Sequence, residues 1–135
     1  MKSSPSEAPL DTSSTALPHF GDYVAEHGST SVAARHYLQD AREALASAFA
    51  PGNAIKPLLR QASECVDQAL SLLWTEYLGE TLEAALIAVG GYGRGELFPQ
   101  SDIDILILIE RAPDDATASQ LERFVTSLWD IGLQI

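Results

Sequence analysis

The stretch AVGGYGRGELFPQSDIDILIL, residues 88–108, decides how the chain is read. Gly90, Gly91, Gly93 and Gly95 fall within six positions, and Asp102 and Asp104 stand two apart at the head of the apolar run Ile105–Ile109. Leu86–Val89 before the glycines and Asp102–Ile109 after them read as strands, the second well buried because it is β-branched and unbroken. Only ten residues separate Gly91 from Asp102. A parallel crossover that carries its helix needs about ten to twelve or more, so the two strands are expected to be antiparallel neighbours in a mixed sheet. The end of the first and the start of the second then share one sheet edge, where glycines and aspartates meet.

Two common phosphate-binding loops fail on spacing. Gly90 to Gly95 supplies the G-x4-G of a Walker A loop, but Glu96 and Leu97 stand where lysine and a hydroxyl are required. Gly91-Tyr92-Gly93-Arg94-Gly95 is G-x-G-x-G, with Glu96 at the place of a dinucleotide fingerprint's third glycine. What remains is a glycine turn with exposed amides beside two carboxylates. Side chains alternate along a strand, so Asp102 and Asp104 project from one face, roughly 6.5 to 7 Å apart, while Ile103 and Ile105 point to the core. Two like charges on one face repel unless a cation lies between them, and hard oxygen ligands suit Mg²⁺ or Mn²⁺. A metal there would bridge Asp102 and Asp104 to a polyphosphate held by Gly90, Gly91 and Gly93, with Arg94 as a further phosphate contact.

The flanks supply a core. Ser29-Thr30-Ser31 can cap a helix running to Ala50, with Leu38, Ala41, Leu45 and Phe49 on one stripe, stopped by Pro51-Gly52-Asn53. A longer helix starts near Ile55, tolerates Pro57 in its first turn, carries Leu58, Ala62, Val66, Ala69, Leu73 and Tyr77 on one face and ends at Gly79. The spacing predicts an antiparallel helix pair over 29–79. After Pro113, Asp114 and Asp115 open a third helix with Ala118, Leu121, Val125, Leu128 and Trp129 inward, and Leu133-Gln134-Ile135 reads as the start of another strand. Residues 1–18, rich in Ser, Thr, Pro and Ala, are expected to be a disordered leader, and 19–28 a transition.

Bulk properties narrow the function. The 135 residues fit one hydrophobic core, and the formal charge of −11, with no lysine and arginine cluster, argues against a nucleic-acid partner. An acidic protein still accepts a nucleotide if metal ions supply the positive charge. Cys65 is the only cysteine, which excludes an intrachain disulfide and suits a reducing, cytoplasmic setting. The apolar run Ile105–Ile109 is far too short to span a bilayer, so no membrane association is expected. Cys65 reads as a small core residue, Trp74 and Trp129 as core aromatics, and His19, His27 and His36 as unconnected with metal binding.

Val89-Gly90-Gly91 followed by Asp102-Ile103-Asp104 resembles the signature of the DNA polymerase β-like nucleotidyltransferase superfamily. The wider stretch VGGYGRGELFPQSDIDILIL, the upstream LLRQASECVDQALSLLW and the downstream LWDIGLQI resemble the amino-terminal domain of the PII uridylyltransferase/uridylyl-removing enzyme family. The resemblance covers roughly residues 30–135 and is strongest from residue 86. It implies an α+β fold: a helical amino-terminal region, then, over 86–135, the first part of a polymerase β-like mixed sheet that stops as its third strand begins. It further implies that Gly90 and Gly91 hold the triphosphate of UTP and that Asp102 and Asp104 are catalytic residues binding two metal ions. UMP would pass to a tyrosine of the PII signalling protein. The family's third carboxylate falls beyond Ile135, and Asp130, at a helix end, is a poor substitute. Its hydrolase and regulatory domains are likewise outside these residues, so the chain reads as an amino-terminal portion. Another nucleotidyltransferase of the same superfamily, and an inactive nucleotide- or partner-binding fragment, stand as the alternatives.

Overall fold

A computed structural model describes residues 16–79 and 82–135. The leader expected over 1–18 falls almost entirely on 1–15, outside the described residues. Seven elements follow: α1 (Phe20–His27), α2 (Thr30–Ala48), α3 (Ile55–Leu78), β1 (Ala84–Ala88), α4 (Gly90–Gly93), β2 (Ile105–Ile109) and α5 (Asp115–Asp130). The α+β class stands.

Helices α2, α3 and α5 form where the periodicity places them. Leu38, Ala41 and Leu45 of α2, Leu58, Val66, Ala69 and Leu73 of α3, and Phe124 and Leu128 of α5 are buried. All of these but Leu45 and Leu58 join Tyr92, Leu97, Ile103, Ile131 and Leu133 in one apolar cluster, so the helical region and the sheet region share a core. Trp74 meets Phe124 edge to face at 5.3 Å between centroids, and Cys65 is buried as expected. The inward assignment of Trp129 is corrected: it is 61% exposed. One residue advances a helix by about 100°, so with Leu128 centred on the core its neighbour swings out and Ile131 takes the next inward place. Two arginines of α2 satisfy carbonyls at the far end of α5. Arg35 Nε donates to Asp130 O at 2.9 Å and Arg42 Nη2 to Gly132 O at 3.0 Å, placing cations where the helix dipole is negative.

Helix α1 replaces the transition expected over 19–28. Phe20 and Tyr23 pack on Tyr37 with ring centroids 4.7 and 5.7 Å away, and the Tyr23 hydroxyl donates to Asp40 Oδ2 at 2.5 Å. That bond to a carboxylate pushes the Tyr23 phenol up to about 12. His27 stacks on His36 at 4.5 Å. Eight residues are too few to hold a helix by local propensity, so these tertiary contacts hold it.

Strands β1 and β2 are antiparallel, in register from Ala84 opposite Ile109 to Ala88 opposite Ile105. The close connection between them forces that pairing, as anticipated. Among the described residues the sheet has these two strands only, narrower than the mixed sheet expected. Leu133–Ile135 is not a strand: its one sheet-like bond runs from Ile103 N–H to Gln134 O at 2.7 Å, and a single bond is not a ladder. The burial expected for the second strand is corrected too. Leu86, Ile105 and Ile107 pack on the core, while Leu106 and Leu108, on the opposite face, are 49% and 58% exposed. The helices cover one face of the sheet, so an unbroken apolar run is half-buried.

Candidate functional site

The site begins where β1 ends. Val89 is extended and its N–H donates to Asp104 O at 3.0 Å, carrying the antiparallel pairing one step beyond the strands. The backbone then closes into α4, a single helical turn rather than the open glycine turn expected. Gly93 N–H reaches Val89 O at 2.9 Å, Arg94 N–H reaches Gly90 O at 3.2 Å and Glu96 N–H reaches Gly91 O at 2.9 Å. The first amides of a helical turn have no acceptor within it, which leaves those of Gly90 and Gly91 for another partner.

Glycine is required at two of these places. Gly90 has φ +59°, and a Cβ on it would lie 2.5 Å from Asp104 Oδ2. A Cβ on Gly93 would lie 2.6 Å from Ala88 O, so that glycine lets the turn press against the end of β1. Gly91 is looser, with Glu96 O at 3.4 Å from such an atom. Tyr92, the one side chain of the turn, is 5% exposed and donates its hydroxyl to Asp67 Oδ1 on α3. Burial, reinforced by that carboxylate, drives the Tyr92 phenol far above its ordinary range.

Across the edge, the strand starts later than the sequence suggested, at Ile105, so Asp102 and Asp104 precede the ladder. The alternation nevertheless extends to them. Asp102 and Asp104 are exposed and Ile103 between them is buried, so both carboxylates leave the backbone on the solvent side, in line with Leu106 and Leu108. They border a cleft of about 430 Å³ that Gly91, Arg94, Glu96 and Ser101 also line. Arg94 Nε pairs with Glu96 Oε2 at 3.3 Å. The structure thus brings Asp102, Asp104, Gly90, Gly91 and Arg94 to one edge, while Gly93 sits behind them against β1. Asp67 was not foreseen: on a helical stripe read for apolar residues, nothing marks an exposed aspartate as the partner of a tyrosine some 25 positions away.

The donor set fits a hard divalent ion completed by a ligand. Among the described residues no three His, Cys, Asp or Glu side chains form a metal cluster, the three histidines included. Two carboxylates would leave the other positions to water and phosphate oxygens, which is how Mg²⁺ is ordinarily held.

Residues 71–131 match the model of the nucleotidyltransferase domain. A bifunctional uridylyltransferase/uridylyl-removing enzyme of Azotobacter vinelandii is 48% identical over 99 residues, 73% of this chain and 11% of that protein. Proteins of the same name from Cupriavidus metallidurans and Pseudomonas fluorescens are 45% and 40% identical over 75% and 85% of the chain. The chain spans 11 to 13% of the length of these relatives. No solved structure matches. The matched segment runs from the end of α3 through the glycine turn, both aspartates and α5, so the cleft edge lies in the part of the chain that is similar to the nucleotidyltransferase domain, and the chain is homologous to proteins named bifunctional uridylyltransferase/uridylyl-removing enzyme.

Proposed function

We propose that this chain carries the nucleotide- and metal-binding edge of an enzyme that transfers UMP from UTP to a tyrosine of the PII nitrogen-regulatory protein in the cytoplasm. The observation that supports the reading is the seating of Gly90 against the Asp104 carboxylate, which puts the backbone of the glycine turn beside an acidic side chain. The names of the relatives supply the uridylyl group, and the family resemblance supplies the PII acceptor. The net charge of −11 opposes a nucleic-acid partner, and no helix among the described residues is long and apolar enough to cross a membrane.

In this reading Asp102 and Asp104 hold Mg²⁺ or Mn²⁺, which supplies charge neutralisation at the triphosphate. Gly90 and Gly91 donate their amides to the phosphates, Gly93 keeps the turn pressed on β1, and Arg94 adds a cation at the cleft wall. The incoming tyrosine oxygen bonds to the α-phosphorus on the side opposite the β-phosphate, the bond from that phosphorus to the α,β-bridging oxygen breaks, pyrophosphate leaves with the bridging oxygen, and the tyrosine proton passes to solvent. The residues present work by position and charge, and orientation of this kind accounts for much of a phosphoryl-transfer rate. Nucleotide binding without turnover is a second reading, favoured by the finding that among the described residues no three acidic, imidazole or thiol side chains are grouped so as to hold a metal.

The test supplies α-labelled UTP, Mg²⁺ and PII protein. Label moves to PII with the wild-type chain and fails to move with Asp102→Asn or Asp104→Asn. Transfer that survives both substitutions contradicts the assignment, and nucleotide binding with no transfer selects the second reading.

A further inference from the structure

Three of the four residues in the turn Gly90–Gly93 are glycines, and glycine fixes little of its own backbone. Such a turn holds one shape only if something outside it does the holding. Its backbone ties run to Val89 and onward to Arg94 and Glu96, all within the same loop. Only Tyr92 reaches out to a different layer. Its ring is buried in the cluster shared with α2, α3 and α5, and its hydroxyl ends on the Asp67 carboxylate of α3. A hydrogen bond to an ionised acceptor is stronger than a neutral one and fixes direction as well as distance.

We infer that Tyr92 and Asp67 are positioning residues: through their hydrogen bond, α3 locks the glycine turn in the shape that receives the nucleotide's phosphates, an inference that rests on the nucleotide reading of that turn. Neither side chain needs to touch the nucleotide. The helical layer ahead of the sheet thereby acquires a task at the site beyond supplying a core. Loss of the bond leaves the turn in place on average but lets Gly90 and Gly91 sample other orientations, so the phosphate-facing amides must be reordered each time a nucleotide arrives.

The experiment compares Tyr92→Phe, Asp67→Ala, their combination, and Asp67→Asn, which keeps an acceptor oxygen. Affinity for Mg²⁺-UTP is measured by titration calorimetry, global stability by thermal melting, and amide hydrogen exchange over residues 90–95 by mass spectrometry without nucleotide. Tyr92→Phe and Asp67→Ala are each expected to weaken Mg²⁺-UTP by about fivefold and to speed exchange in the turn, because the phenyl ring still fills the core. The combined variant is expected to lose about the same fivefold, since both changes remove one bond, and Asp67→Asn to recover most of the affinity. Unchanged affinity and unchanged exchange in Tyr92→Phe would overturn the inference, as would losses that simply multiply in the combined variant. Absence of Mg²⁺-UTP binding by the wild-type chain would overturn the nucleotide reading and the positioning role together. Exchange, which needs no ligand, tells that failure from failure of the lock alone.

Discussion

Gly90 and Asp104 sit so close that the one carbon glycine lacks would stand 2.5 Å from Asp104 Oδ2. The same glycine has φ +59°, a conformation that costs an L-residue roughly 1–2 kcal/mol before any collision. Gly90→Ala therefore has to move either the turn or the carboxylate. Its expected effect is a loss of Mg²⁺-UTP affinity of about tenfold or more, in line with about 1.4 kcal/mol of misplacement. Gly95→Ala is the control, because φ there is +69° but a Cβ would meet nothing within 4 Å. It should lower stability through backbone strain and leave affinity nearly unchanged. Calorimetry on the two variants checks the contrast, and equal losses of affinity would refute it.

The sheet's two faces make a second prediction. Leu108→Thr, on the exposed face, should change stability by about 0.5 kcal/mol or less, as surface substitutions in strands usually do. Phe124→Ala empties a fully buried place beneath Trp74 and should cost about 3–5 kcal/mol. Urea denaturation measures both, and a large loss from Leu108→Thr would mean that this face is covered.

Acid sensitivity at the start of α5 follows from its cap. Asp114 accepts Thr117 N–H at 2.8 Å, and that bond holds its carboxyl below the ordinary value. A carboxyl lowered in the folded state adds stability that is complete above its unfolded value of about 3.9 and is lost as pH falls through the folded value. Asp114→Asn keeps a capping oxygen but does not titrate. Melting temperatures should therefore favour the wild type above about pH 5 and converge on the variant as the solution is acidified through the carboxylate range. A gap that stays constant with pH would assign the cap's effect to shape alone.

Much of this was legible in the sequence, for reasons that also mark where legibility stopped. Leu38, Ala41 and Leu45, then Val66, Ala69 and Leu73, repeat often enough to declare helices, and ten residues between Gly91 and Asp102 leave little alternative to antiparallel strands. Ile103 between two aspartates announces which side of the chain faces the core. Helix α1 was hidden because eight residues show barely two turns and its stability comes from Tyr37 and Asp40 on another helix. The half-exposed state of Leu106 and Leu108 was hidden because an apolar run looks the same whether one or both faces are covered. The Tyr92–Asp67 bond is a tertiary pairing across layers, and no local pattern encodes it.

The proposed metal and nucleotide edge is open to a measurement that needs neither PII nor turnover. Mn²⁺ is titrated into the chain with and without UTP while free Mn²⁺ is followed by electron paramagnetic resonance. Two carboxylates completed by phosphate oxygens predict Mn²⁺ uptake that strengthens markedly with UTP and weakens by about tenfold or more in Asp102→Asn, in Asp104→Asn and in Gly90→Ala. Uptake that is indifferent to UTP, or unchanged when both aspartates are replaced, would contradict it.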